Sequence, residues 1–124
     1  MLRHSVVILL CASTALAEDT KIDFDRDIRP IISDKCAHCH GPDPNARQAD
    51  LRLDTRDGLF QVVVPAQPEQ SELIARINSA DPEEVMPPAD AKLSLSNDQI
   101  ELLTAWVRSG ASWKGHWAFP RGDR

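Results

Sequence analysis

The chain has 124 residues and carries 19 acidic against 14 basic side chains, which gives a formal net charge of −5. This acidic balance argues against nucleic-acid binding, which needs a basic surface. Nine prolines, three tryptophans and three phenylalanines leave little apolar mass for a core. We therefore expect one small domain that needs a bound group to complete its core.

Residues 1–17 have the pattern of a secretory signal peptide. A positively charged start precedes an apolar stretch at residues 6–10, and residues 15–17 read Ala-Leu-Ala, a typical cleavage site. The apolar stretch is shorter than the roughly 20 residues that a membrane-spanning helix needs. We expect cleavage to remove Cys11 and to leave a domain at residues 18–124 in the periplasm or another extracytoplasmic space.

The first helix is expected over about residues 25–36, where apolar side chains recur roughly on one face. Pro30 is awkward inside a helix because it lacks an N–H group. The helix is therefore expected to start late or to kink before Ile31. It leads directly into the most informative part of the chain.

The run Cys36-Ala37-His38-Cys39-His40 is a C-x-x-C-H motif, the pattern for covalent attachment of a c-type haem. Two thiols three positions apart lie on one side of a helical turn, where both can reach the vinyl groups of one porphyrin. The imidazole of His40 then lies under the ring and can bind the iron. The motif predicts one haem c, held covalently through Cys36 and Cys39 with His40 as an axial ligand.

Two other chemistries use the same residue types. A thioredoxin-like C-x-x-C pair needs a surrounding βαβ pattern, which this sequence lacks. A structural zinc site needs a second pair of ligands, and His116 is the one histidine outside the motif after the signal segment. A disulfide redox pair and a zinc site are the minor alternatives.

The loop after the motif contains two arginines, Arg47 and Arg52, that are candidates for pairing with the haem propionates. A guanidinium matches the geometry of a carboxylate, although solvated loop arginines are an equally good interpretation. Residues 51–54 and 61–64 have the composition of short extended segments. A second helix follows over about residues 71–78, with Ser71 as its N-cap.

Met86 is the one methionine after the signal segment, and it is followed by Pro87 and Pro88. A thioether favours ferrous iron and suits electron transfer, and the prolines stiffen the loop that carries it. We favour Met86 as the second axial ligand over the interpretation of a lone methionine as core filler. His116 is the alternative ligand, and an open iron would instead indicate sensing or peroxide chemistry.

The third helix begins at Ser96, which forms a capping box with Gln99, and ends at Gly110. Its apolar face can pack against the first helix, and we expect Phe24 and Trp106 to seal that contact rather than to touch a haem. Three short helices with long proline-rich loops predict an all-α domain. The tail from about residue 113 is expected to be a linker or docking segment.

Seven short segments of the chain carry a further pattern, at residues 24–31, 36–43, 51–54, 71–74, 86–88, 110–113 and 116–119. Together they resemble the planctomycete-type cytochrome c module, which often lies near the N-terminus of large secreted proteins. The resemblance implies a small cytochrome c fold with thioether anchors at Cys36 and Cys39, His40 as proximal ligand and Met86 as distal ligand. Ala66 departs from the family, which tends to have glycine at this position.

These features favour a monomeric, extracytoplasmic electron carrier that serves unidentified redox partner proteins and is not an enzyme. The alternative is a haem-bearing docking or sensing module for a separate enzyme. Because relatives usually continue into further domains, the chain is either a free-standing carrier or the leading module of a shortened multidomain oxidoreductase. A peroxidase would need an open iron with distal acid–base groups, and the sequence offers no convincing pair.

Overall fold

The computed structural model describes residues 21–113. The signal segment, His116 and all but the first residue of the tail lie outside the described residues. The α-helices are α1 (Arg29–Lys35), α2 (Arg56–Leu59), α3 (Glu72–Ile77) and α4 (Asn97–Arg108). A π-helical turn, Phe24–Ile28, precedes α1, and 3₁₀ turns lie at Pro68–Gln70 and Ala89–Ala91. Residues 21–113 contain no β-strand, so the predicted all-α fold is confirmed.

The predicted first helix consists of the π-helical turn followed by α1. Asp23 caps the turn, since its Oδ1 accepts the N–H of Arg26 at 2.8 Å and its own N–H donates to Asp27 Oδ2 at 2.9 Å. Pro30 lies in the first turn of α1, where its missing N–H would have no helical partner in any case. Of the two expected ways to accommodate Pro30, the structure has the late start, because the α-helix begins at Arg29.

The longest helix, α4, has both of its predicted ends. Ser96 Oγ accepts the N–H of Gln99 at 3.1 Å, and Gln99 Oε1 accepts the N–H of Ser96 at 3.0 Å, which completes the capping box. Gly110 follows the helix with a φ of +114°. The N–H of Ala111 then donates to the carbonyl of Trp106 at 2.9 Å, as in a Schellman motif.

Aromatic side chains join the two ends of the domain. Phe24 and Trp106 are 2% and 1% exposed, and their ring centroids lie 5.5 Å apart. Trp113 stacks on Phe24 with a centroid distance of 4.3 Å. The π-helical turn thus packs on α4, and Phe24 and Trp106 act as packing residues, as expected.

The N-terminus of α3 differs from the prediction in one respect. Ser71 is the N-cap residue, but its hydroxyl makes no capping bond to the helix. Instead, Ser71 Oγ accepts the N–H of Val64 at 2.9 Å and donates to the carbonyl of Gln67 at 2.9 Å. Because Ser71 is 1% exposed, its hydroxyl satisfies buried groups of the preceding loop rather than the helix end.

The segment between the motif and α3 also differs from the prediction. The expected extended segments at residues 51–54 and 61–64 form no strand. The short helix α2 lies between them, with Thr55 Oγ1 accepting the N–H of Gly58 at 3.2 Å. A four-residue helix carries too little periodicity to be recognised from sequence.

Candidate haem-binding site

The C-x-x-C-H motif forms a helical turn directly after α1. The N–H of Cys36 donates to the carbonyl of Ile32 at 2.9 Å, which continues the helix by one residue. The N–H of His40 then donates to the carbonyl of Cys36 at 2.9 Å. The carbonyl of His40 accepts the N–H of Leu53 at 2.8 Å, so the backbone on both sides of the imidazole is fixed. The predicted helical turn over the motif is present.

Gly41 closes the turn because no side chain fits there. A Cβ atom at this position would lie 2.0 Å from the carbonyl oxygen of Ala37, a contact that the backbone would have to move to relieve. The guanidinium of Arg47 donates to the carbonyl oxygens of Gly41 and Pro42 at 3.0 and 3.2 Å. Arg47 therefore holds the chain that follows the motif.

A largely apolar pocket with a volume of about 410 Å³ lies against the motif. Cys36, Cys39, His40 and Met86 all line it, although Met86 is far from the others in the sequence. Its apolar wall includes Leu51, Leu53, Val62, Leu73, Ile77 and Leu93. The volume falls within the range of roughly 300–1,000 Å³ that is usual for pockets that bind small molecules and cofactors.

The thiol of Cys36 is poorly suited to redox chemistry of its own. Burial raises the pKa of Cys36 from 9.0 to about 11, because desolvation disfavours the thiolate. Reactive cysteines of thiol–disulfide enzymes have lowered pKa values, since the thiolate is the nucleophile. The environment of Cys36 therefore disfavours the thioredoxin-like alternative.

One nitrogen of the His40 imidazole, Nδ1, is buried without a hydrogen-bond partner within residues 21–113. A buried polar atom without a partner costs free energy, so such atoms are normally paired. Iron binding would occupy one nitrogen of this ring and would leave the other to orient it.

Met86 lies on a loop that is attached to α3. The loop turns at Asp81, whose carbonyl accepts the N–H groups of Glu84 and Val85 at 3.0 and 2.9 Å. The N–H of Met86 donates to the carbonyl of Arg76 at 3.1 Å. The Met86–Pro87 peptide bond is cis. This loop brings the half-buried Met86 to the pocket wall.

The two arginines suggested by the sequence do not line the pocket. The guanidinium of Arg52 binds the carboxylate of Asp54 through two contacts of 2.6 and 3.0 Å. This hydrogen bonding lowers the pKa of Asp54. Arg47 is occupied by the turn after the motif. Cofactor binding by Arg52 therefore stays a prediction without a supporting contact.

Two other cations, Lys35 and Arg76, do line the pocket, and the sequence analysis missed them. Lys35 is the last residue of α1 and directly precedes Cys36. Arg76 lies in the last turn of α3, next to the buried Ile77. In the sequence, each of these two residues is adjacent to another residue that lines the pocket. Such adjacency is a weak signal, because it does not show which side of a helix faces the pocket.

The residues at this pocket fit a covalently bound haem. The motif supplies two thiols and an imidazole on one helical turn, and the pocket wall is mostly apolar. The unpaired Nδ1 of His40 adds an observation that does not depend on the motif. Haem binding by Cys36, Cys39 and His40 is therefore chemically consistent with the structure.

A C-x-x-C-H turn that lines an apolar pocket in a small helical domain is the arrangement of a c-type cytochrome. The family model of planctomycete cytochrome C matches residues 36–90, from the first cysteine of the motif to just beyond the Met86 loop. This match confirms the resemblance to the planctomycete-type cytochrome c module over residues 36–90. The family supports haem binding and electron transfer. No curated protein and no solved structure matches the chain.

Within residues 21–113, no helix combines the length and the apolar character needed to cross a bilayer.

Proposed function

We propose that this protein is an extracytoplasmic cytochrome that carries single electrons on one haem c with His40 and Met86 as axial ligands. The observation that carries the proposal is the position of Met86 in the same pocket as Cys36, Cys39 and His40. A soft thioether and an imidazole at one apolar pocket are the donor pair of an electron-transfer haem.

Each residue has a distinct role in this proposal. Cys36 and Cys39 would hold the porphyrin through thioether bonds, on the helical turn that directly follows α1. A bound haem supplies an iron that exchanges one electron between the ferric and ferrous states. His40 and Met86 occupy the iron, and the apolar wall excludes water and helps to set the reduction potential.

Carriage of electrons is favoured over catalysis because two side chains would fill both axial positions. A substrate such as peroxide needs an open position on iron and a nearby acid–base group. The extracytoplasmic location rests on the predicted signal segment and on the usual site of covalent haem attachment. The monomeric state and the unidentified redox partner proteins stay predictions.

The substitution Met86→Ala tests the ligand pair directly. We expect the variant to keep its covalent haem, to lose the weak far-red Met–iron band of the ferric form, and to bind carbon monoxide when reduced. Its reduction potential should fall by on the order of 0.1 V, within the roughly 0.8 V range that axial ligands span. Spectroscopy and a redox titration provide the measurement.

Val85→Ala is the matched control, because it shortens the neighbouring side chain and leaves the thioether in place. This variant should keep the far-red band and the potential of the unmodified protein. An unchanged spectrum and potential in Met86→Ala would remove Met86 as a ligand. His116→Ala would then be the next variant to examine.

A further inference from the structure

Arg76 connects α3 to the Met86 loop through both its backbone and its side chain. Its carbonyl accepts the N–H of Met86 at 3.1 Å, and its Nη1 lies 3.5 Å from the carbonyl oxygen of Glu84. The same guanidinium contacts Glu72 Oε1 through Nη2 at 3.1 Å and through Nε at 3.3 Å. Arg76 therefore links a carboxylate on α3 with the chain just before the methionine.

The two ends of this link differ in how firmly they are held. On the α3 side, Leu73, Ile74 and Ile77 are buried in the core. Residues 81–84 of the loop are exposed, and Met86 itself is half-buried. The position of the thioether thus depends on what attaches the loop to α3, and Arg76 provides two such contacts.

We propose that the side chain of Arg76 is a positioning residue for Met86, holding the loop so that the thioether stays in the pocket as an iron ligand. The proposal rests on the His40/Met86 ligation proposed above. Arg76 acts through the loop and not on the iron. A planar guanidinium donates in several directions at once, so it can bind Glu72 and approach Glu84 together. A lysine ammonium lacks this planar fork.

The reduction potential alone does not test this role. A positive charge near a haem stabilises the ferrous state by electrostatics, so removing Arg76 lowers the potential whether or not it positions the loop. Competition between the thioether and an added ligand for the iron is a more specific test than the reduction potential. Added imidazole displaces the thioether from ferric iron, and a loosened loop makes that displacement easier.

The experiment uses the haem-loaded full chain and compares Arg76→Ala and Arg76→Lys with the unmodified protein. The affinity of the ferric form for imidazole is read from the disappearance of the far-red band, alongside a redox titration. Arg76→Ala should bind imidazole about tenfold more tightly, as expected if the lost contacts are worth ~1.4 kcal/mol. Arg76→Lys should recover much of the reduction potential that Arg76→Ala loses. It should still bind imidazole several-fold more tightly than the unmodified protein does. The backbone bond from Met86 N–H survives both substitutions.

Arg26→Ala is the matched control. The guanidinium of Arg26 also binds one carboxylate, that of Asp27, and one backbone carbonyl, that of Lys21, at 3.0 Å. Its side chain is 60% exposed, against 40% for Arg76, and it does not line the pocket. This variant removes the same charge and should leave the imidazole affinity unchanged within about twofold.

Three results would overturn the positioning role of Arg76. Imidazole affinity in Arg76→Ala equal to that of the unmodified protein would overturn positioning while leaving the His40/Met86 pair intact. Full recovery of that affinity in Arg76→Lys would show that charge alone suffices, which also overturns it. Absence of the far-red band from the unmodified protein would overturn both the ligand pair and the positioning role.

A second substitution keeps the test decisive if Arg76→Ala fails to load haem. Glu72→Gln retains the arginine and weakens its anchor on α3. It should raise the imidazole affinity about threefold, because a neutral amide accepts a weaker hydrogen bond than a carboxylate does. Unchanged affinity in either Glu72→Gln or Arg76→Lys would contradict the proposal.

Discussion

Ala66 has a backbone conformation that its side chain disfavours. Its φ is +64°, in the left-handed region where a Cβ atom costs roughly 1–2 kcal/mol. The turn is held in place because the N–H of Ala66 donates to the carbonyl of Val107 at 2.9 Å. Glycine lacks a Cβ atom and adopts this conformation without that cost.

The substitution Ala66→Gly should therefore stabilise the protein. We expect the free energy of unfolding to rise by about 0.5–1 kcal/mol, since relief of the left-handed strain exceeds the added entropy of the unfolded chain. Chemical denaturation of the haem-loaded protein measures this change. Ala75→Gly is the control, because Ala75 is an exposed residue of α3 and its loss should cost about 1 kcal/mol. Destabilisation by both substitutions would contradict the interpretation of Ala66.

Single residues also show what could and could not be predicted from sequence. The spacing of Cys36, Cys39 and His40 specifies their chemistry, and Met86 could be singled out because no other methionine follows the signal segment. Arg52 and Arg76 both lie between apolar residues in the sequence, so their neighbours could not rank them. Only the packing of α3 shows that Arg76 lines the pocket and Arg52 does not.

At the scale of elements, α4 was the most predictable part of the fold because its signals are local. The capping box at its start involves residues three positions apart, and the glycine at its end needs only the helix itself. The loop between the motif and α3 was less predictable. Ser71 and α2 depend on buried groups elsewhere in that loop, which no local pattern reveals.

The capping box provides a prediction for α4. Ser96→Ala removes the side-chain acceptor of the Gln99 N–H and should lower the free energy of unfolding by about 1 kcal/mol. Ser94→Ala is the control, because Ser94 is exposed in the loop before the helix and should change stability by less than ~0.5 kcal/mol. Denaturant unfolding gives both values. Equal effects from the two substitutions would mean that the cap contributes nothing.

At the scale of the whole molecule, the pocket is a substantial part of a small domain. An apolar space of about 410 Å³ separates the motif from α3 and the Met86 loop. The pocket is open to solvent, so a group bound there would bury its apolar wall, and we expect the haem to add stability to the domain. The low aromatic content of the sequence led us to expect a bound group, although it could not show where the pocket lies.

Loss of covalent attachment should therefore destabilise the entire domain. We expect the double variant Cys36→Ala/Cys39→Ala, produced alongside the unmodified protein in a host with a cytochrome c maturation system, to unfold at least roughly 10 °C lower. A loss of ~2 kcal/mol corresponds to such a shift in a domain of this size. Circular dichroism during heating measures the midpoint. Equal midpoints would indicate that the domain completes its core without haem.

The most direct measurement of the central claim is the absorption spectrum of the exported protein, with and without dithionite, together with a haem stain on a denaturing gel. The account predicts covalent haem, sharp bands in the reduced form and the weak far-red Met–iron band in the oxidised form. Covalent haem with a high-spin spectrum that shifts on adding carbon monoxide would contradict ligation by Met86. Absence of covalent haem would contradict the cytochrome itself.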